Sequence, residues 1–146
     1  MIGNLEWCKF AKIYYMKHLY ILLFVLISAF SQAQTIKHKA THQAFRTSDV
    51  FTEKFGKWSD WEKTDVIIII DVKLGTLAIY ESPKKIYLIL GEIEQKEFTD
   101  KSTIVFDALD ENNTKCIVEL VHYNTNKNQL YIRWSNFHLV YEIIRL

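Results

Sequence analysis

The chain has 146 residues, 49% of them hydrophobic and 14% aromatic, and 18 Lys+Arg against 17 Asp+Glu leave a net charge of +1. Near-neutral, interspersed charge excludes the basic stripe that nucleic acid requires and the polybasic patch of a membrane-surface anchor. With two cysteines in the whole chain, a disulfide framework is excluded as well.

The amino-terminal third reads as a targeting segment. From Met16 the order is a short basic stretch (Lys17, His18), an apolar run from Leu19 to Phe30, and Ser31-Gln32-Ala33 ahead of Gln34. Basic, apolar and small-x-small regions in that order make a secretory signal peptide over 16–33. The apolar run of about 12 residues is shorter than the roughly 20 that span a hydrocarbon core, so no stable membrane anchor is expected. Cleavage near Ala33 predicts an exported protein, periplasmic or extracellular. Residues 1–15 add nothing a signal requires and read as an extension ahead of a true start at Met16.

The mature chain from Gln34 carries 15 basic and 16 acidic residues, a net charge of −1. At about 113 residues it is long enough for one modest core. Cys116 is its single cysteine. It sits in an alternating apolar run and reads as a small buried hydrophobe. No cysteine follows the signal, so a lipid anchor is not expected.

Residues 34–48 are polar and read as a flexible lead-in. A single all-β domain is expected over 49–146, because Ile, Val, Tyr and Phe dominate and helical spacing is missing. Asp49 to Trp58 reads as an irregular first strand. Val66 to Val72, with Ile67 to Ile70 in a row, reads as a strand apolar on both faces. Lys73-Leu74-Gly75 is a turn, with Gly75 free to take positive φ. Thr76 to Tyr80 alternates as a half-buried strand does, and Ser82-Pro83-Lys84 turns the chain again. Lys85 to about Glu94 is the next strand, with a bulge expected near Gly91. Ser102 to Leu109 and Thr114 to Tyr123 flank a tip at Asp110–Asn113. Gln129 to Trp134 puts Leu130, Ile132 and Trp134 on one face. Ser135-Asn136 closes a hairpin, and Phe137 to Ile144 ends the chain with Phe137, Leu139, Tyr141 and Ile143 on one face. Seven or eight consecutive strands with short turns make an antiparallel meander that closes into a barrel or a barrel-like sandwich.

Gly56-Lys57-Trp58 resembles the G-x-W of lipocalin first strands. That resemblance implies a tryptophan plugging the closed end of an eight-stranded barrel, with Arg133 or Arg145 lying over it. The second usual lipocalin motif is missing. The Trp58-Ser59-Asp60-Trp61 entry, the isoleucine-rich strands, the acidic hairpin at 107–113 and the tyrosine-bearing last strand resemble uncharacterised small exported bacterial proteins. That resemblance implies no activity.

Other constellations have plainer readings. His38 and His42 are four apart, the spacing that places two zinc ligands on one helix face, but their segment has no amphipathic pattern. His122 and His138 alternate with apolar neighbours and read as hydrogen-bonded structural histidines. Asp110-Glu111-Asn112-Asn113-Thr114 lacks the glycine and the downstream glutamate of a calcium loop, and reads as a solvated hairpin tip. Asn112-Asn113-Thr114 is a glycosylation sequon that matters only in a eukaryotic secretory pathway. No catalytic, cofactor-binding or metal-ligating residue emerges. The expected function is a non-enzymatic binding module for a small apolar ligand. The alternative is a protein-interaction or structural module acting through an exposed sheet face or edge, with a homodimer as one such partner.

Overall fold

A computed structural model describes residues 35–125 and 127–146. The expected signal peptide, its cleavage point and the amino-terminal extension lie outside the described residues. Eight strands follow in order: β1 (Thr35–Thr47), β2 (Glu62–Asp71), β3 (Thr76–Tyr80), β4 (Lys85–Glu97), β5 (Lys101–Leu109), β6 (Lys115–Tyr123), β7 (Asn128–Arg133) and β8 (Phe137–Arg145). Each pairs antiparallel with the next, and β8 pairs with β1 to close an up-and-down barrel. The meander expected from the sequence is thus a closed barrel.

One strand is not where the sequence puts it. The expected flexible lead-in holds β1 (Thr35–Thr47), a 13-residue strand paired on both edges. The expected first strand at 49–58 is a connection, whose one β-bridge to the sheet among the described residues is Ser48–Phe55. The physical reason is that β1 carries small or polar residues at its buried positions. His38, Ala40 and Ala44 are its buried residues, so it shows no apolar alternation. A bulge between Ala40 and His42 then reverses which side chains face inward.

Closure gives every strand one lumen face. Ile68, Leu77, Ile79, Leu130, Ile132, Tyr87, Tyr141 and Ile143 point into the lumen and are all but fully buried. Each such aliphatic side chain contributes about 1.5–3 kcal/mol by leaving water. The four isoleucines of β2 divide by the strand's two-residue period. Ile68 and Ile70 enter the core, while Ile67 and Ile69 stay half-buried on the outer wall.

The turns match their chemistry. Gly75 has φ of +62°, and Asn113 has φ of +59°. A register shift between Ile89 and Gly91 marks the expected bulge in β4. The Trp134 amide donates to the Phe137 carbonyl at 2.8 Å across the Ser135-Asn136 turn.

The β1–β2 connection is strapped to the outside of the barrel. The Ser59 amide donates to the Phe45 carbonyl at 2.8 Å, and the Gly56 amide to the Thr47 carbonyl at 3.0 Å. Asp49 caps the turn that begins it, its Oδ1 accepting from the Phe51 and Thr52 amides. Trp58 therefore does not plug the lumen. It lies edge-on to Tyr131, 6.0 Å between ring centroids, and Tyr131 faces outward because Leu130 and Ile132 face in. The arginine over Trp58 is Arg46, at 4.7 Å, and neither Arg133 nor Arg145. Arg133 instead covers Tyr131 and pairs with Glu119 on the outer wall.

Candidate functional site

The lumen has two mouths, and their chemistry differs. One lies beside the β1–β2, β3–β4, β5–β6 and β7–β8 connections. Its floor is Tyr87, Trp134, Phe137 and Leu139, in a depression of about 270 Å³. Trp134 continues the inward face of β7, as its alternation with Leu130 and Ile132 predicts, and packs 6.1 Å from Tyr87 and 5.8 Å from Phe137. It occupies the position expected of Trp58.

The polar groups at this mouth are already engaged with one another. The Trp134 Nε1–H donates to Asp110 Oδ2 at 3.0 Å. Asp110 Oδ1 accepts from the Asn112 and Thr114 amides, each at 2.9 Å. Desolvation pushes the Asp110 carboxyl up, and the hydrogen bonds from Thr114, Trp134 and Asn112 outweigh it, holding the group below the ordinary carboxylate range. Its oxygens are spent on the turn and the tryptophan, in keeping with a hairpin tip. Glu111 Oε1 accepts from the Ile86 amide at 2.9 Å, and Lys85 pairs with Glu81. Burial, followed by the charge of Glu81 and a hydrogen bond to it, raises the pKa of Tyr141. The aromatic floor fills the lumen at this end beneath the depression.

The opposite end holds an enclosed apolar cavity. Beneath the β2–β3 turn lies a cavity of about 130 Å³, lined by Ile70, Leu77, Ile89, Phe106, Val118 and Leu120, with Asp71, Val72 and Gly75 of the turn at its edge. The Asp71 carboxylate accepts from the Leu74 amide at 2.9 Å, which holds it to the turn. Glycine is favoured there, since its φ is positive and a Cβ would stand 3.4 Å from the Ile89 carbonyl oxygen.

The sequence-selected histidines separate. His38 sits on the lumen face of β1, two residues from Ala40, and is 3% exposed. His42 lies past the bulge, opposite Glu142 and Lys63, on the outer face. The pair shares no face, so the zinc spacing has no geometry behind it. Among the described residues, no cluster of three or more His, Cys, Asp or Glu could hold a metal ion. His138 is on the outer wall, stacked on Phe55 at 3.8 Å between centroids. Cys116 is buried and unpaired, and burial with the nearby Asp110 charge pushes its thiol up to about 11. A thiol so held is protonated and inert.

Sequence reasoning missed the apolar cavity and the role of Trp134. The alternation placing Leu130, Ile132 and Trp134 on one face was the available signal for the second. No protein family, curated protein or solved structure matches this chain.

Proposed function

We propose that this barrel is the mature domain of an exported, non-enzymatic binding module that takes a small apolar molecule in the cavity beneath the β2–β3 turn. One observation carries the reading. At one end of the lumen a mainly apolar, enclosed space is lined by Ile70, Leu77, Ile89, Phe106, Val118 and Leu120. Its 130 Å³ is below the roughly 300–1,000 Å³ of pockets for drug-sized ligands. It is close to the about 150 Å³ at which an apolar cavity takes up benzene. The ligand class is therefore a group of about six carbons.

The test is titration of the purified protein with benzene, followed by amide and methyl NMR. Saturable shifts centred on Leu77, Phe106 and Leu120 are expected, and Val118→Phe abolishes them by filling the space. Shifts that never saturate, or that ignore Val118→Phe, overturn the reading. Export is tested by the mass of the protein recovered outside the cytoplasm. A chain beginning at Gln34 is expected, and retention of the whole precursor inside the cell contradicts it.

A second reading rests on the outer wall. Tyr80, Ile86, Leu88 and Leu90 face away from the lumen on β3 and β4 and are each at least 42% exposed. Adjacent exposed apolar side chains of this kind mark interaction surfaces. This supports a protein-interaction module. Sedimentation tests its self-association: a homodimer whose formation is lost in Leu88→Lys favours the second reading, and a monomer at every concentration removes the homodimer.

A further inference from the structure

Three basic residues that do not line the cavity take inward register positions at the same end of the barrel. His38 follows the inward face of β1 set by Ala40, Arg145 the inward face of β8 set by Tyr141 and Ile143, and His122 the inward face of β6 set by Val118 and Leu120. Leu120 lines the cavity itself, two residues from His122. Arg145 is the register partner of His38 across the β1–β8 seam. His122 is on β6, further around the wall, yet its charge reaches His38 and, after burial, is the next cause depressing the His38 pKa, followed by Arg145.

His38 is the telling group. It is 3% exposed, and its Nδ1 has no hydrogen-bond partner. A buried polar atom left unpaired costs free energy, and native proteins rarely tolerate it without a reason. Arg145 and His122 are exposed at the rim. The acid among the cavity-lining residues, Asp71, accepts the Leu74 amide through Oδ1. The apolar cavity and these basic positions share one end of the barrel.

We infer that the ligand is a small carboxylate with a tail of about six carbons, the tail in the cavity and the anionic head on Arg145, His122 and His38. This rests on the apolar-ligand reading and adds the head group to it. The guanidinium matches a carboxylate's two oxygens, and an imidazole N–H supplies a further donor. No covalent step is involved.

Isothermal titration of the purified protein with hexanoate, hexan-1-ol and acetate tests it. Hexanoate is expected to bind at least about ten-fold more tightly than hexan-1-ol, the effect of one charge-assisted hydrogen bond. Acetate, with the head and no tail, is expected to bind more weakly than either. In Arg145→Gln and His122→Gln, at exposed positions that do not risk the core, hexanoate falls to the level of hexan-1-ol while hexan-1-ol is unchanged. Equal binding of hexanoate and hexan-1-ol overturns the head-group inference and leaves the apolar cavity reading standing. Acetate binding as tightly as hexanoate shows an adventitious anion site and overturns the inference. No binding of any of the three overturns both readings together.

Discussion

Arg46 and His138 meet across the β1–β8 seam, the Arg46 Nε–H donating to His138 Nδ1 at 3.1 Å. The contact requires a neutral imidazole. It also places the Arg46 guanidinium against Phe55 and Trp58, whose rings lie 5.1 and 4.7 Å from its carbon. Burial, then the charges of Arg46 and Arg133, lower the pKa of His138 against a smaller upward pull from the Trp134 backbone.

This sets a pH dependence. Burial, His122 and Arg145 lower His38 in the same direction. An unfolded histidine takes up its proton at about pH 6.5, and both of these take it up at lower pH when folded. The unfolded state therefore binds more protons in that window, and stability falls as pH drops. The contribution is complete above about pH 6.5 and is lost below it. The expected urea midpoint is lower at pH 5 than at pH 7.5, and His138→Gln shrinks the difference. A midpoint that rises on acidification contradicts the assignment.

Trp58 and Tyr141 make a useful contrast. Trp58 is half-buried on the outer wall, whereas Tyr141 is fully buried in the lumen. Truncation of a buried aromatic costs about 3–5 kcal/mol, which is the expectation for Tyr141→Ala. Trp58→Ala loses the Arg46 stack, worth about 0.5–1 kcal/mol at an exposed site, and part of an apolar face, so its cost is expected to be about half as large or less. Chemical denaturation of the two variants checks the order. Equal losses indicate that the strap over β1, β7 and β8 is as integral as the lumen.

Most of the barrel was legible because its strands obey simple alternation. Leu77 and Ile79, or Leu130 and Ile132, announce an inward face without ambiguity. What was hidden follows from closure. Once a sheet closes, large residues on neighbouring strands fill the lumen, and the strand facing them carries small ones. Ala40 is such a position, fully buried and uninformative in sequence. The Gly56-Lys57-Trp58 string misdirects for a related reason, since a tryptophan buries as readily on a covered outer wall as in a lumen. The cavity was not legible at all, because it is a deficit of volume among Ile70, Leu77, Ile89 and Phe106, which no residue type signals.

The β2–β3 turn that roofs this cavity depends on Gly75. Its φ of +62° is disfavoured for any residue with a Cβ. Gly75→Ala is expected to cost about 1 kcal/mol from the left-handed backbone. A further loss arises if the Ile89 carbonyl, 3.4 Å from the new methyl, cannot give way. The unfolding midpoint measures this. An unchanged midpoint means that the turn adopts another conformation in solution, and the cavity beneath it changes shape with it.

Cys116 offers a direct reading of how often the barrel opens. The thiol is 4% exposed, and burial and Asp110 push it up to about 11. At pH 8 a group at that value is about one part in a thousand thiolate, against roughly a quarter for a free cysteine near 8.5. Both access and ionisation therefore oppose alkylation. The native protein is expected to react with iodoacetamide orders of magnitude more slowly than the urea-unfolded chain. Its residual rate is expected to rise with denaturant in step with global unfolding, because β6 is paired along its length to β5 and over Ile117–His122 to β7. A native rate close to that of the unfolded chain requires the β5–β6–β7 wall to open locally, and the closed, side-chain-packed lumen described above does not permit that.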